Sequence, residues 1–223
     1  MLEQKALFIA ISGMRGSGRT KLFKQLGPLL PDVFGNQTFA FFEDPFGGLP
    51  HPLLWATEEC GRDPVSRLFS LWSVLNEFNI KHLRPALASN DVVLVDGYGL
   101  NALLYSTACA GGSREDDENA IQMHHEIVRA RVIKQGIPPP EYFITLGGHN
   151  SLVDYLQENV PGIDIAECYA FIRKEERVIR DYFRPETGQR GQIFDHSLSI
   201  DDMAEDVILA IRQHLDQKRQ AAA

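Results

Sequence analysis

The chain has 223 residues, a hydrophobic content of 44% and a formal net charge of −8, which suits one α/β domain with a sizeable apolar core. The acidic balance argues against a protein that binds nucleic acid or an anionic membrane through its overall field, although a local basic pocket remains compatible with it. No apolar run approaches the length of a membrane span. Three scattered cysteines without metal-ligand or redox spacing favour a reduced, cytoplasmic setting.

The first predicted strand leads into a glycine-rich loop. The apolar run Ala6–Ile11 precedes Gly13–Thr20, and a helical pattern follows. This is the context of a phosphate-binding loop, in which glycines bring backbone N–H groups close to an anion and the helix N-terminus adds partial positive charge. The residues expected to hold phosphate are Gly13, Arg15, Gly16, Ser17, Gly18, Arg19 and Thr20, and the Thr20 hydroxyl is placed to bind Mg²⁺.

Arg19 stands where the G-x-x-x-x-G-K-[ST] pattern has lysine. Arginine keeps the positive charge, but it is larger, planar and forked, so the exchange is not conservative at a tight site. The alternative interpretation is a glycine-rich turn that only joins strand to helix. The flanking strand and helix favour phosphate binding.

Two acidic residues follow the second predicted strand. A first helix is predicted over Thr20–Leu30, ending before Pro31, and the strand covers Gln37–Phe42. Because ligands of open α/β sheets bind at the carboxyl ends of the strands, Glu43 or Asp44 is a candidate catalytic carboxylate. The alternative is a solvated turn.

Another acid ends the third predicted strand. A long helix is predicted over residues 64–88 from the helical spacing of its apolar residues, and Asp91–Asp96 is typical of a central parallel strand. Asp96 would lie beside the phosphate loop, where an aspartate acts on Mg²⁺ directly or through water. The alternative role is a cap for a helix that starts near Leu100.

The second half of the chain contains a basic cluster. The elements predicted there are helices over 119–135, 151–158 and 165–183, strands over 142–146 and 192–195, and a final amphipathic helix from residue 200. Arginines near a phosphate site can clamp phosphoryl oxygens, whereas most charge runs are solvated helix faces. If the cluster is functional, the candidates are Arg177, Arg180 and Arg184.

The order of these elements resembles the thymidylate kinase family of nucleoside monophosphate kinases. The features that carry the resemblance are the phosphate loop, the strand ending Glu43-Asp44-Pro45-Phe46-Gly47-Gly48, the long helix with Lys81–Leu87, the strand ending Asp96-Gly97-Tyr98, and Phe194-Asp195 with the final helix. The resemblance covers nearly the whole chain, and the phosphate loop is its specific part. It implies a P-loop NTPase fold, a three-layer α/β/α sandwich with a five-stranded parallel sheet. We expect one domain over residues 1–223, with a mobile lid near 147–165 or 184–191.

Several arginines of the family's motifs are absent from this chain. Glu43 falls at the arginine of the Arg-Glu-Pro-Gly-Gly motif, Gly97 at that of the Asp-Arg-Tyr motif, and Leu75 near one on the long helix. The segment 157–162, which corresponds to the arginine-rich lid, contains none. In the family these arginines hold an acceptor monophosphate and the transferred phosphoryl group, so an acceptor without a phosphate is a live alternative.

The predicted function is Mg-ATP-dependent phosphoryl transfer to a nucleotide acceptor. ATP would lie on the loop and the arginine cluster, Thr20 and Asp96 would hold Mg²⁺, and the catalytic group would be Arg19, Glu43, Asp44 and Asp96. One alternative is a deoxynucleoside kinase-like enzyme in which Glu43 or Asp44 deprotonates a sugar hydroxyl. Another is a catalytically silent nucleotide-binding relative that acts through protein partners. The expected partner is a small nucleotide or nucleoside, not a nucleic acid polymer or a membrane, and the long apolar helices are compatible with a homodimer.

Overall fold

The structure is a computed structural model that describes residues 6–14, 16–47, 63–108, 113–159, 162–184, 191–195 and 197–222. The strands are β1 Leu7–Gly13, β2 Phe39–Phe42, β3 Val92–Asp96, β4 Glu141–Thr145 and β5 Gly191–Phe194. The helices are α1 Arg19–Phe34, α2 Pro64–Phe78, α3 Arg84–Ser89, α4 Gly99–Ala108, α5 Arg114–Gln135, α6 His149–Asn159, α7 Ile165–Tyr182 and α8 Ile200–Ala222. A π-helical turn, Asn79–Leu83, joins α2 to α3.

The strands of the described residues form one five-stranded parallel sheet in the order β2-β3-β1-β4-β5. The register places Ile11 of β1 beside Asp96 of β3, and Gly13 beside Thr145 of β4. The loop that leaves β1 therefore begins between the carboxyl ends of β3 and β4, where α/β sheets bind ligands.

Alternate residues of the buried strand β1 enter two separate cores, one on each face of the sheet. Phe8 and Ala10 pack with the apolar sides of α2, α4, α5 and α7. Leu7, Ile9 and Ile11 pack with α1 and α8. The expected three-layer α/β/α fold with a five-stranded parallel sheet is confirmed. Within the described ranges, we find no helix long and apolar enough to cross a membrane.

The first helix is longer than its prolines suggest. The prediction that it ends before Pro31 is wrong, because α1 continues to Phe34 with Pro28 and Pro31 inside it. Proline removes one helix hydrogen bond and crowds the preceding turn. Here the buried apolar face of α1 outweighs that cost, since Leu22, Phe23, Leu26 and Leu30 are fully or almost fully buried.

The helical stretch predicted over residues 64–88 is present but not uniform. In the π-helical turn the N–H of Arg84 donates to the carbonyl of Asn79, five residues earlier. Pro85 follows immediately, and it lacks an N–H to continue the α-helical pattern. A local π turn lets the helix pass this point and continue to Ser89.

Candidate functional site

Gly13 ends β1 where no side chain fits. A Cβ atom there would lie 2.3 Å from Thr145 Oγ1 and 2.4 Å from the Thr145 carbonyl oxygen. The close approach is held by the Met14 N–H, which donates to that carbonyl at 3.2 Å, and by Asn101 Nδ2, which donates to the Gly13 carbonyl at 3.3 Å. A buried hydroxyl pair, Ser17 Oγ and Thr145 Oγ1 at 2.6 Å, fixes the far side of the loop to β4.

The loop leads into a helix N-terminus suited to an anion. Gly16 and Gly18 have φ angles of 76° and 84°, in the left-handed region that favours glycine. Gly18 is the N-cap of α1, and no side chain of the described residues caps the helix there. The N–H groups of the first turn therefore combine with the positive end of the helix dipole, which is the physical basis of phosphate binding at such a turn.

The Arg19 side chain lies between the ends of β2 and β3, against two carboxylates. Its Nη2 donates to Asp44 Oδ2 at 2.8 Å, and its Nε lies 2.7 Å from Asp96 Oδ1. The arginine side chain is 13% exposed, Asp44 is 17% exposed and Asp96 is 3% exposed. The positive charge of Arg19 is thus paired with both Asp44, predicted to position the acceptor, and Asp96, predicted to bind the metal.

Burial and charge act in opposite directions on these ionisable groups. Burial of the guanidinium disfavours its charged form, but the interactions with Tyr105 and with the Asp44 and Asp96 carboxylates outweigh burial, and the pKa of Arg19 is raised. Burial also raises the pKa of the Asp96 carboxyl above its ordinary value, and the Arg19 guanidinium only partly offsets that rise. Arg19 therefore remains charged at any physiological pH.

Thr20 and Asp96 lie together, as predicted for a magnesium site, but they fit the ion unequally. The exposed Thr20 hydroxyl donates to Asp96 Oδ2 at 2.9 Å, which leaves its lone pairs for a cation. Asp96 Oδ2 accepts from Thr20, and Oδ1, which accepts no hydrogen bond from the described residues, is held in an ion pair with Arg19. The donor set thus suits Mg²⁺ at Thr20 and not, in this arrangement, at Asp96.

The carboxylates after β2 differ in their surroundings. Asp44 receives Arg19, the Tyr105 hydroxyl at 3.3 Å and the Phe46 N–H at 2.9 Å, so its orientation is fixed. Glu43 is exposed. The predicted acceptor-positioning role suits Asp44 better in geometry, and both assignments stay predictions.

The segment after β4 packs directly on the phosphate loop. A Cβ at Gly147 would lie 2.7 Å from Ser17 Cα, and one at Gly16 would lie 2.9 Å from both Cβ and Cγ of Tyr155 on α6. The lid predicted near 147–165 therefore lies beside the loop, while its mobility stays a prediction. Residues 160–161 and 185–190, which belong to the two proposed lid segments, lie outside the described residues.

The basic cluster of α7 makes contacts between and within helices. Arg177 donates to Asp117 of α5, and Arg184 pairs with Asp181 at 2.6 Å. Arg180 is exposed near the end of α7. Arg15 lies outside the described residues. A role in binding phosphate stays a prediction for these arginines.

Sequence reasoning missed residues that fix the site from neighbouring elements. Tyr105 and Asn101 on α4 contact Asp44 and Gly13, and Thr145 receives the loop on β4. The position of Thr145 at the carboxyl end of a strand beside β1 could have suggested it, because ligands of α/β sheets bind at those ends. The α4 residues carry no local signal, because only the packing of that helix brings them to the loop.

The fold and the loop define the class: an α/β protein of the P-loop fold, in which a central strand leads through a glycine-rich turn into a helix N-terminus. No protein-family model matches the chain. The thymidylate kinase of Oenococcus oeni (strain ATCC BAA-331 / PSU-1) is 30% identical over 124 aligned residues, covering 50% of this chain and 52% of the relative. The match thus spans about half the length of the curated relative.

The likeness in three dimensions extends further along the chain. The crystal structure of thymidylate kinase from Ehrlichia chaffeensis matches with a TM-score of 0.58 at 19% identity, over 93% of this chain and 98% of that chain. At that identity the match establishes the fold. Together with the partial match to the curated relative, it confirms the resemblance to thymidylate kinases found in the sequence.

Proposed function

We propose that this protein binds ATP at the Gly13–Thr20 loop and transfers a phosphoryl group to a nucleotide acceptor. The observation that carries the proposal is the uncapped N-terminus of α1 at a glycine turn, with the Thr20 hydroxyl joined to Asp96 at 2.9 Å. The loop N–H groups would hold the β- and γ-phosphates, and rigid positioning would supply most of the catalysis. Support also comes from the relative named as a thymidylate kinase.

Thr20 would hold a Mg²⁺ ion bound with the triphosphate, and that ion would supply positive charge to offset the charge of phosphoryl transfer. In this proposal the Thr20 hydroxyl orients the metal–phosphate group. Asp44 positions the acceptor from the end of β2, held by Tyr105 and Arg19. Arg177, Arg180 and Arg184 would add positive charge.

A nucleoside acceptor is the second candidate, and one charge observation favours it. Arg19, Asp44 and Asp96 together carry one net negative charge at neutral pH. An uncharged sugar hydroxyl would meet less repulsion there than a phosphate monoester. Asp44 or Glu43 would then take the proton of the hydroxyl.

A catalytically silent relative is the third candidate. It is favoured by the ion pairs of Arg19 with both Asp44 and Asp96, which engage the loop cation within the protein. Such a protein would bind nucleotide and act through protein partners.

Thermal unfolding with ATP, tripolyphosphate or adenosine tests the loop. A ligand that binds only the folded state stabilises it by roughly 2.7 kcal/mol at a hundred times its dissociation constant. We expect a higher Tm with ATP and tripolyphosphate but not with adenosine. Gly18→Asp should abolish the shift because it adds a negative charge at the N-terminus of α1, which opposes binding of an anion there. Gly18→Asn is the matched control, with the same shape and no charge, and it should keep the shift.

Acceptor-dependent ADP formation then separates the three candidates. Purified protein with Mg-ATP is mixed with each nucleoside monophosphate and each nucleoside, and ADP is followed by a coupled assay. ADP that appears only with a monophosphate supports the proposed function, and ADP that appears only with a nucleoside supports the second candidate. ATP binding without ADP from any acceptor favours the silent relative. A chain that gives no Tm shift with ATP or tripolyphosphate refutes the proposal.

A further inference from the structure

The Arg19 guanidinium bridges two acids from different strands. Its Nη2 lies 2.8 Å from Asp44 Oδ2, and its Nε lies 2.7 Å from Asp96 Oδ1. Both nitrogens are bonded to the same carbon, Cζ, so the two carboxylate oxygens share a small region of space. A divalent cation also requires several oxygens arranged around a single positive centre.

Gly97 provides the space for this arrangement. It has a φ of 73°, and a Cβ atom there would lie 3.0 Å from Arg19 Nη1 and 3.4 Å from Cζ. Any side chain at residue 97 would therefore press on the guanidinium. The chain combines a large cation at residue 19 with the absence of a side chain at residue 97.

The acids have little capacity left for a metal. Asp96 Oδ2 accepts from Thr20 Oγ1 at 2.9 Å, and its Oδ1, which accepts no hydrogen bond from the described residues, forms an ion pair with Arg19 Nε at 2.7 Å. Asp44 Oδ2 accepts from both Arg19 and Tyr105, and its Oδ1 accepts from the Phe46 N–H. Mg²⁺ requires oxygen ligands at about 2.0–2.1 Å in a near-octahedral shell, so it would have to displace donors that are already in place.

We infer that Arg19 takes the place of a divalent cation at the Asp44–Asp96 pair. The carboxylates then need no metal to stay together. The nucleotide of the proposed function binds as free ATP about as well as with Mg²⁺, which is held by the phosphates rather than by Asp96. Only this nucleotide statement rests on the proposed function, because the cation exchange concerns the protein alone.

A Mn²⁺ titration monitored by electron paramagnetic resonance, without nucleotide, tests the exchange directly. The unaltered chain should show no saturable Mn²⁺ site at these acids. Arg19→Gln removes the charge and should bind Mn²⁺ at least about tenfold more tightly, because two carboxylates become available as ligands. Arg19→Lys is the matched control that keeps the charge, and it should gain no such site. Adding Asp96→Asn to Arg19→Gln should remove the site again.

Two results of this titration would overturn the inference. One is a saturable Mn²⁺ site in the unaltered chain that Asp96→Asn removes. The other is a folded Arg19→Gln variant that binds Mn²⁺ no better than the unaltered chain. Circular dichroism decides whether the variant is folded.

Calorimetry on the unaltered chain provides a second measurement if Arg19→Gln fails to fold. ATP is titrated in EDTA and in Mg²⁺, and we expect dissociation constants within about threefold of each other, a difference below 1 kcal/mol. Binding that Mg²⁺ tightens at least about tenfold would contradict the inference. Absence of ATP binding under both conditions would refute the proposed nucleotide site, while the Mn²⁺ titration still decides the cation exchange.

Discussion

The contact between Arg19 and Gly97 predicts a measurable energetic coupling between the two positions. The perturbation is Gly97→Ala, made in the unaltered chain and again in Arg19→Lys. In the unaltered chain the new Cβ would lie 3.0 Å from Nη1 of a guanidinium that two carboxylates hold in place. In the lysine background the branched guanidinium is absent, so this contact disappears.

The expected cost has two parts, and only one depends on Arg19. Alanine in the left-handed region costs roughly 1–2 kcal/mol, and this strain is the same in both backgrounds because the φ of 73° is set by the turn after β3. Overpacking a fixed neighbour costs roughly 1–3 kcal/mol more. Gly97→Ala should therefore destabilise the unaltered chain by roughly 2–5 kcal/mol and the lysine variant by roughly 1–2 kcal/mol.

Urea unfolding of the four proteins measures the coupling. The double-mutant cycle cancels the backbone strain, and it should leave a coupling of at least about 1 kcal/mol. A coupling below about 0.3 kcal/mol, the usual error of additivity, would show that the guanidinium does not press on residue 97. Our account of why glycine stands at this position would then be wrong.

Three further predictions concern the loop and the core. Gly13→Ala should destabilise the fold by about 3 kcal/mol or more, since its Cβ would lie 2.3 Å from Thr145 Oγ1; urea unfolding measures this. Thr145→Val should cost roughly 1–3 kcal/mol by leaving the buried Ser17 hydroxyl without its partner at 2.6 Å, and adding Ser17→Ala should recover part of that loss in the same assay. Burial lowers the pKa of His124 to about 3 in the folded chain, so the unfolded chain takes up its proton first. The free energy of unfolding should fall as the pH drops below about 6.5, and at about pH 4.5 it should have lost roughly 2–3 kcal/mol more than in the His124→Gln variant. Urea unfolding of both proteins at about pH 6.5 and about pH 4.5 would measure this difference.

The architecture was predictable because its signals are local. The apolar run that ends at Gly13 has the continuous hydrophobicity of a strand buried on both faces, and that strand lies at the centre of the sheet. The glycine turn and the helix after it follow from the same short segment. Helix ends were harder to predict, because Pro28 and Pro31 argue locally for a stop that tertiary packing overrides.

The direction of the Arg19 side chain could not be predicted from the sequence. A cation in a phosphate loop was expected to face phosphate, whereas it pairs with Asp44 and Asp96, which are distant in sequence. The departures from the family pattern that the sequence showed include Arg19, Glu43 and Gly97. Only the three-dimensional structure shows that Arg19 and Gly97 are adjacent, so that one departure makes room for the other.

This adjacency also bears on the acceptor. With Arg19 in place, the side chains of Arg19, Asp44 and Asp96 carry one formal net negative charge, and a move of Arg19 toward bound phosphate would leave the two carboxylates without it. In either state a phosphate monoester acceptor meets more repulsion than an uncharged sugar hydroxyl. We therefore expect added salt, which screens this repulsion, to raise kcat/KM for dTMP relative to thymidine in the coupled ADP assay. A ratio that falls with salt would mean that dTMP meets net positive charge, supplied by groups other than these three residues.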